Sequence, residues 1–391
     1  MNPSLLRILP LGLLGTVVAL TGAPANPNPH SAEAYWVYFG TYSGPKSKGI
    51  YRARLDVATG QLSAAEVAAE CQDPAFLALH PNGRVLYAID ERSRPEQIPG
   101  RGLRAYQIDS HGTLALLNEQ SVGGAGPCHV TVDARGQCVL VANYSGGSVA
   151  ALPIAADGRL GAVAGFVQHV GSSVNPVRQK EPHAHGTVVS PDNRFALCAD
   201  LGLDQVLVYK LDAARATLAP ADIPFVRLAP GAGPRHLAFH PRGNFVYVIS
   251  ELLCTMSVFR FDSARGTLDL LQTISTLPPG EAMAAGTSTA EVVVHPSGRW
   301  LFGSNRGHNT IAVFAIAATT GRLTHVENQP TRGKTPRHFA VDPSGTWLLA
   351  ENQNSDSVVV FRIDAASGRL QANGQSAAVP SPVSAVFVPV N

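Results

Sequence analysis

Pro74-Ala75-Phe76-Leu77-Ala78-Leu79-His80-Pro81-Asn82-Gly83 carries alternating apolar residues into a turn built on Pro and Gly. Pro fixes φ and Gly or Asn accepts left-handed geometry, so the segment reads as a strand ending in a tight turn. The pattern returns at Pro127-Cys128-His129-Val130-Thr131-Val132-Asp133-Ala134-Arg135-Gly136 and again within 182–193, 234–243, 289–298 and 336–345. After each turn comes a second apolar run, such as Phe245-Val246-Tyr247-Val248-Ile249, and then a third, such as Val258-Phe259-Arg260-Phe261. Each unit is therefore a four-stranded meander. A repeat of roughly fifty residues with four strands per unit is the mark of a β-propeller and not of a sandwich.

Six such units are internal, and the two ends of the chain supply a seventh. Ser381-Pro382-Val383-Ser384-Ala385-Val386-Phe387-Val388-Pro389 matches the first strand of the repeat, while Tyr35-Trp36-Val37-Tyr38-Phe39-Gly40 and Gly49-Ile50-Tyr51-Arg52-Ala53-Arg54-Leu55 match its second and third. The expected fold is an all-β, seven-bladed propeller over residues 35–391, its last blade closed by N- and C-terminal strands. Closure of this kind leaves no free sheet edge at the seam.

Composition narrows the partners. Charged residues make up 15% of the chain and hydrophobic ones 45%, and 30 Lys plus Arg stand against 28 Asp plus Glu. No basic stripe follows a nucleic-acid backbone and no acidic tail is present, so a small-molecule partner and a monomer are expected. Five cysteines, Cys71, Cys128, Cys138, Cys198 and Cys254, show no C-x-x-C spacing and read as small buried hydrophobes. The start of the chain offers Arg7, an apolar run 8–20 and then Thr21-Gly22-Ala23-Pro24-Ala25. Residues 1–34 are thus expected to be a signal peptide and leader, giving a periplasmic or secreted protein, or a cytoplasmic one if that leader is silent.

Aligning the turns shows what each blade places at equivalent points. Four positions before the turn's His, Asp or Ser stand Phe76, His129, Gly186, His236, Glu291, His338 and, in the C-terminal match, Ser384; one position earlier stand Ala75, Cys128, His185, Arg235, Ala290, Arg337 and Val383. First strands line the channel of a propeller, so these side chains should gather near one mouth. Eight residues after the turn Gly or Asn come Glu91, Tyr144, Leu201, Glu251, Arg306 and Gln353, preceded by Asp90, Asn143, Asp200, Ser250, Asn305 and Asn352. The short polar set reads as a turn device, because Asn and Asp side chains bond nearby backbone. Glu251 and Arg306 break the series at matching places in adjacent blades, which locates a site between the fourth and fifth internal units.

A carboxylate, two guanidinium groups and the pair His183 and His185 form an acid/base site with anion-binding capacity. His183 with His185 could also ligate a metal, but nothing else has matching spacing, and neither metal nor other cofactor is expected. His80, His240 and His295 share a slot with Asp133, Ser190 and Asp342 and read as turn caps.

The chain resembles the lactonase family of seven-bladed propellers, which includes propeller-type 6-phosphogluconolactonases and fungal carboxymuconate lactonizing enzymes. Its marks are Glu181-Pro182-His183-Ala184-His185, Asp200-Leu201-Gly202-Leu203-Asp204, Gly233-Pro234-Arg235-His236, Ser250-Glu251-Leu252, Ala290-Glu291-Val292-Val293-Val294-His295-Pro296, Ser304-Asn305-Arg306-Gly307-His308 and Lys334-Thr335-Pro336-Arg337-His338-Phe339. The resemblance implies a site near His185, Arg235, Glu251 and Arg306. His183, His236, Glu291, Arg337 and His338 are expected to bind substrate around it. In a lactone hydrolase Glu251 or His185 would activate water; in a cycloisomerase the same groups would shuttle protons. The resemblance implies a phosphorylated sugar lactone in the cytoplasm, whereas the leader suggests export and an unphosphorylated aldonolactone. A third reading is an exported propeller that only binds.

Overall fold

The structure is a computed structural model that describes residues 32–93 and 102–390. The expected leader, apart from its last residues, lies outside them. Seven four-stranded antiparallel sheets are present. Six run consecutively along the chain, over 77–121 (blade I), 127–168 (II), 184–227 (III), 234–275 (IV), 288–330 (V) and 336–378 (VI). The seventh has Pro382–Pro389 innermost, paired to Ala34–Thr41, then Gly49–Asp56 and Glu66–Glu70. The chain ends close the ring as the repeat suggested.

Tight turns end the inner strands because the residue two places after the turn Pro is held at positive φ. Gly243 sits at φ 75° and Asn193, which replaces Gly in its blade, at φ 63°. The second strands, Phe245–Ser250 and Trp347–Asn352 among them, are buried along their whole length. They lie between two neighbouring blades, so both faces are covered and the sequence there is a continuous apolar run. The outer strands, such as Thr217–Arg227, are largely exposed.

Seven apolar clusters occupy the seven blade–blade interfaces. Val206, Val208, Val246 and Val248 join blades III and IV; Tyr35, Phe387, Leu349 and Val360 join VI to the seam blade, and Tyr38, Leu86 and Val388 join the seam blade to I. Cys128, Cys138 and Cys198 are buried in this packing, Cys254 is buried outside the clusters, Cys71 is half-buried, and all five are free thiols.

One irregularity recurs in the inner strands. In blade III Ala184 pairs with Asp200 and Gly186 with Ala199, leaving His185 as an extra residue; Arg235 in blade IV, Arg337 in VI and Cys128 in II are left over in the same way. Such β-bulges re-aim a side chain. The seam blade has its own between Gly40 and Thr41.

Candidate functional site

The bulge residues and the ends of the second strands meet at one mouth of the channel. Glu251 follows Phe245–Ser250 and is 4% exposed. Its Oε2 lies 3.0 Å from Arg306 Nη2, 3.2 Å from Arg235 Nε and 4.0 Å from His185 Nε2. Its Oε1 accepts a hydrogen bond from Arg178 Nη2 at 2.8 Å. The Arg235 contact is an ion pair without hydrogen-bond alignment, since Nε makes no hydrogen bond.

Two of these arginines are pinned from behind. Arg306 donates through Nη2 and Nε to the Thr289 carbonyl at 2.7 and 3.1 Å, and Arg235 Nη1 donates to the Ala290 carbonyl at 2.8 Å. Those carbonyls belong to the inner strand of blade V, where Ala290 and Glu291 lie in a register shift between Thr289 and Val292. A local backbone irregularity in one blade therefore fixes guanidinium groups that reach in from two.

Electrostatics follow the geometry. Burial opposes ionisation of Glu251, but Arg306, Arg235 and Arg178 overcome it and hold the carboxyl down at about 2. Burial, reinforced by Arg337 and Arg306, lowers Arg235 to about 10, and burial, then Arg235, His236 and Arg337, lowers His185 well below 6.5. His185 is a neutral imidazole beside an ionised carboxylate. Its Nδ1 side faces the Cys128 thiol at 3.8 Å.

His183 stacks on Tyr144, with ring centroids 4.4 Å apart and planes 10° from parallel, and its Nδ1 lies 3.0 Å from the Tyr144 carbonyl. Arg337 lies over the ring of Tyr42, whose hydroxyl donates to Glu91 Oε1 at 3.0 Å. Burial raises Glu91 above the usual carboxylate range, with Arg337 and Tyr42 pulling the other way. His236, Glu291 and His338 were expected among the substrate contacts. They are buried, one residue further along their strands, and bonded to each other: His236 Nδ1 to Glu291 Oε2 at 2.9 Å, His338 Nε2 to the same oxygen at 3.4 Å, and His338 Nδ1 to Glu351 Oε2 at 2.8 Å. Phe76 and His129 pack against them. The site also extends beyond the two blades expected to carry it, drawing side chains from blades I to VI and Tyr42 from the seam blade.

Arg178, Tyr144, Glu91 and Glu351 are the additions that the repeat did not single out as site residues. Tyr144 and Glu91 do stand in the same register series as Glu251, so their places were visible; Arg178 stands in a stretch without strand alternation and carried no signal. The cap reading of the turn histidines gains a second half. His80, His240 and His295 accept from the turn backbone or a turn Ser through Nδ1, while Nε2 reaches the carbonyl of Gly136, Gly298 and Gly345 in the next blade. Of the short polar set, Asp200 Oδ1 accepts from the backbone of His183, Gly202 and Leu203. A cleft of about 800 Å³ opens at the other end of the blades, beside Trp36, His80, Arg84 and Phe387. It gathers no buried charges, in contrast to the arginine-lined mouth.

A seven-bladed propeller with an ionised carboxylate, neutral histidine and convergent arginines at one mouth offers groups suited to an anionic or carbonyl-bearing small molecule. Comparison with known proteins sharpens that class. The family model "Lactonase, 7-bladed beta-propeller" matches residues 36–387. The chain belongs to this lactonase family. It is 36% identical to a 6-phosphogluconolactonase of Bacillus subtilis over 78% of this chain and 84% of that one, and 32% identical to a 6-phosphogluconolactonase of Formosa agariphila over 78% and 85%. The solved structure of a periplasmic gluconolactonase from Pseudomonas aeruginosa superposes with a TM-score of 0.85 at 35% identity, covering 92% of this chain and all of that one.

Proposed function

We propose that the protein is a lactone hydrolase of the 6-phosphogluconolactonase kind, opening a sugar-acid lactone by attack of water. The observation that carries this reading is the buried Glu251 carboxylate, 3.0 Å from Arg306 and 3.2 Å from Arg235 beside the neutral His185. A carboxylate clamped by guanidinium groups is a weak base, so we assign proton uptake to His185, with Glu251 stabilising the imidazolium that forms. As water oxygen bonds to the lactone carbonyl carbon, its proton passes to His185. Arg235 and Arg306 stabilise the oxyanion that develops. When the tetrahedral centre collapses, the ring C–O bond breaks and the leaving oxygen takes the proton back. Arg337 and His183 border the substrate, and His236, Glu291 and His338 support the floor beneath.

Lactonases among the relatives support hydrolysis, and the periplasmic relative supports reading residues 1–34 as an export leader. The test is acid release from a panel containing δ-gluconolactone, its 6-phosphate and a carboxymuconate, with the mass of the mature N-terminus taken on the same sample. Faster release than the spontaneous rate is expected for a sugar lactone, falling about a hundredfold or more in Glu251→Gln. A full rate in that variant would remove Glu251 from the mechanism, and spontaneous rates throughout the panel would overturn the reading itself.

A further inference from the structure

Three guanidinium groups surround Glu251, and they are not equivalent. Arg235 and Arg306 have side chains 3% and 14% exposed, each with a second anchor on a backbone carbonyl. Arg178 is 39% exposed and has only the Tyr144 hydroxyl, 3.0 Å away, as its second partner. Both of its bonds use Nη2; among the described residues nothing engages Nε or Nη1. Breaking the Arg235 or Arg306 pair would leave a buried guanidinium without its carboxylate, whereas a partly exposed arginine exchanges partners at little cost.

The backbone under Arg178 is fixed. It lies between the outer strand Gly165–Gln168 of blade II and the inner strand Ala184–Val189 of blade III. His169 Nδ1 meets Asp200 Oδ2 at 2.6 Å, Ser173 Oγ donates to Asp204 Oδ2 at 2.6 Å, and the buried Gln179 donates to Asp204 Oδ1 and the Leu201 carbonyl, both at 2.8 Å. Asn175 Oδ1 accepts from the backbone of Val177 and Arg178, both at 3.0 Å. The two carboxylates of Asp200-Leu201-Gly202-Leu203-Asp204 thus hold a loop whose product is one partly exposed guanidinium at the mouth. Only the side chain of Arg178 has to turn for it to take another anion.

We propose that Arg178 is the residue by which this site recognises an anionic substituent on its lactone, and that in binding that group it releases Glu251 Oε1. Charge favours such a ligand: Arg178, Arg235, Arg306 and Arg337 stand at the mouth against Glu251 and Glu91. A free Nε and Nη1 edge suits the fork geometry of a phosphate or carboxylate. Releasing Oε1 leaves Glu251 held by two guanidinium groups in place of three, and makes it a better partner for the His185 imidazolium. Binding of the remote anion is then coupled to proton uptake at the reacting carbon, which places recognition energy in the chemical step. The substrate class is a lactone bearing a phosphate or carboxylate away from the ring ester.

This rests on the lactonase reading, and the experiment separates the two. Arg178→Gln and Arg178→Lys are compared with wild type for kcat/KM on 6-phosphogluconolactone and δ-gluconolactone, and for calorimetric binding of the products 6-phosphogluconate and gluconate. The preference of wild type for the phosphorylated lactone is expected to fall at least tenfold in Arg178→Gln, with 6-phosphogluconate binding weakened in step and partly restored in Arg178→Lys. Equal losses on both lactones, or unchanged 6-phosphogluconate binding, would overturn the proposal. If wild type opens neither lactone the hydrolase reading fails, and the calorimetry still decides whether Arg178 reads the anion. A thermal midpoint for each variant identifies one that loses binding by misfolding, in which case Tyr144→Phe, which removes only the second partner of Arg178, supplies the readout: altered discrimination between the two products supports the proposal and unaltered discrimination overturns it.

Discussion

In the proposed mechanism Glu251 and His185 divide a task that a single group could not perform here. Three arginines keep Glu251 ionised down to about pH 2, too weak a base to strip water, yet an ionised carboxylate is what a nearby imidazolium needs. His185 is held neutral by burial and then by Arg235, His236 and Arg337, with Glu251 as the opposing charge and the Cys128 thiol against its ring. In the proposed mechanism the neutral imidazole is the active form, and burial and its cationic neighbours lower its proton affinity. Activity should therefore survive as pH falls through 6.5 and decline only at more acid values. A kcat/KM profile between pH 4 and 8 with its acid midpoint well below 6.5 is the expected result; a midpoint at 6.5 or above would mean that His185 is not the titrating base. The deeper group has its own charge pattern. Glu291 is held down at about 2 by His236 and His338 despite burial, while Glu291 and Glu351 raise His338 against its burial and burial lowers His236 to about 4.

Strands and turns explain why those residues meet. A bulge near the start of the inner strand turns His185, Arg235 and Arg337 toward the mouth, and the turn histidines lock blade I to II, IV to V and V to VI at the far end. His240 lies close above Gly298, where a Cβ would meet its Nε2 at 2.7 Å, so this contact depends on glycine in the neighbouring turn. Replacing His240 by Ala leaves the Gly298 carbonyl without its partner and should cost about 1–3 kcal/mol in a denaturant titration, with lactone turnover little changed. No loss of stability would show the bond to be incidental. The propeller itself was legible because turn chemistry and apolar alternation recur at fixed spacing, so every blade reinforces the reading of the others. Register carried the site part of the way: Glu251 and Arg306 depart from their series, and Arg235 and His185 share a slot. It did not reveal the bulges, which leave no mark in residue type. Nor did it reveal that His236 and Glu291 bond to each other, because neighbouring positions on an inner strand look alike until the register shift is seen. Arg178 was hidden for a different reason. A loop has no period, and its arginine arrives only through the side-chain anchors at Asp200 and Asp204.

Closure of the ring sets the stability of the whole molecule. The strand Pro382–Pro389 places Val383, Ala385, Phe387 and Val388 in apolar clusters shared with blades VI, I and II. At about 1.5–3 kcal/mol for each large apolar side chain, their removal costs as much as a typical domain's entire net stability of about 5–15 kcal/mol. It would also uncover the edge of Ala34–Thr41, now paired along its length from Tyr35 with Pro389 to Thr41 with Pro382. Deleting residues 381–391 should therefore abolish the cooperative unfolding transition, although every catalytic candidate remains in the chain. The effect belongs to closure and not to the C-terminal residues as such, and a permutant distinguishes the two. Val390 N donates to the Ala34 carbonyl at 3.0 Å, so a short linker can join those points, with new ends opened between the exposed Ala214 and Arg215. That circular permutant keeps every strand of the seam blade and should retain both a cooperative transition and lactone turnover. If the deletion variant instead melts cooperatively near the wild-type midpoint, the six remaining blades hold the mouth together without the seam, and the stability of the site rests on local blade contacts alone.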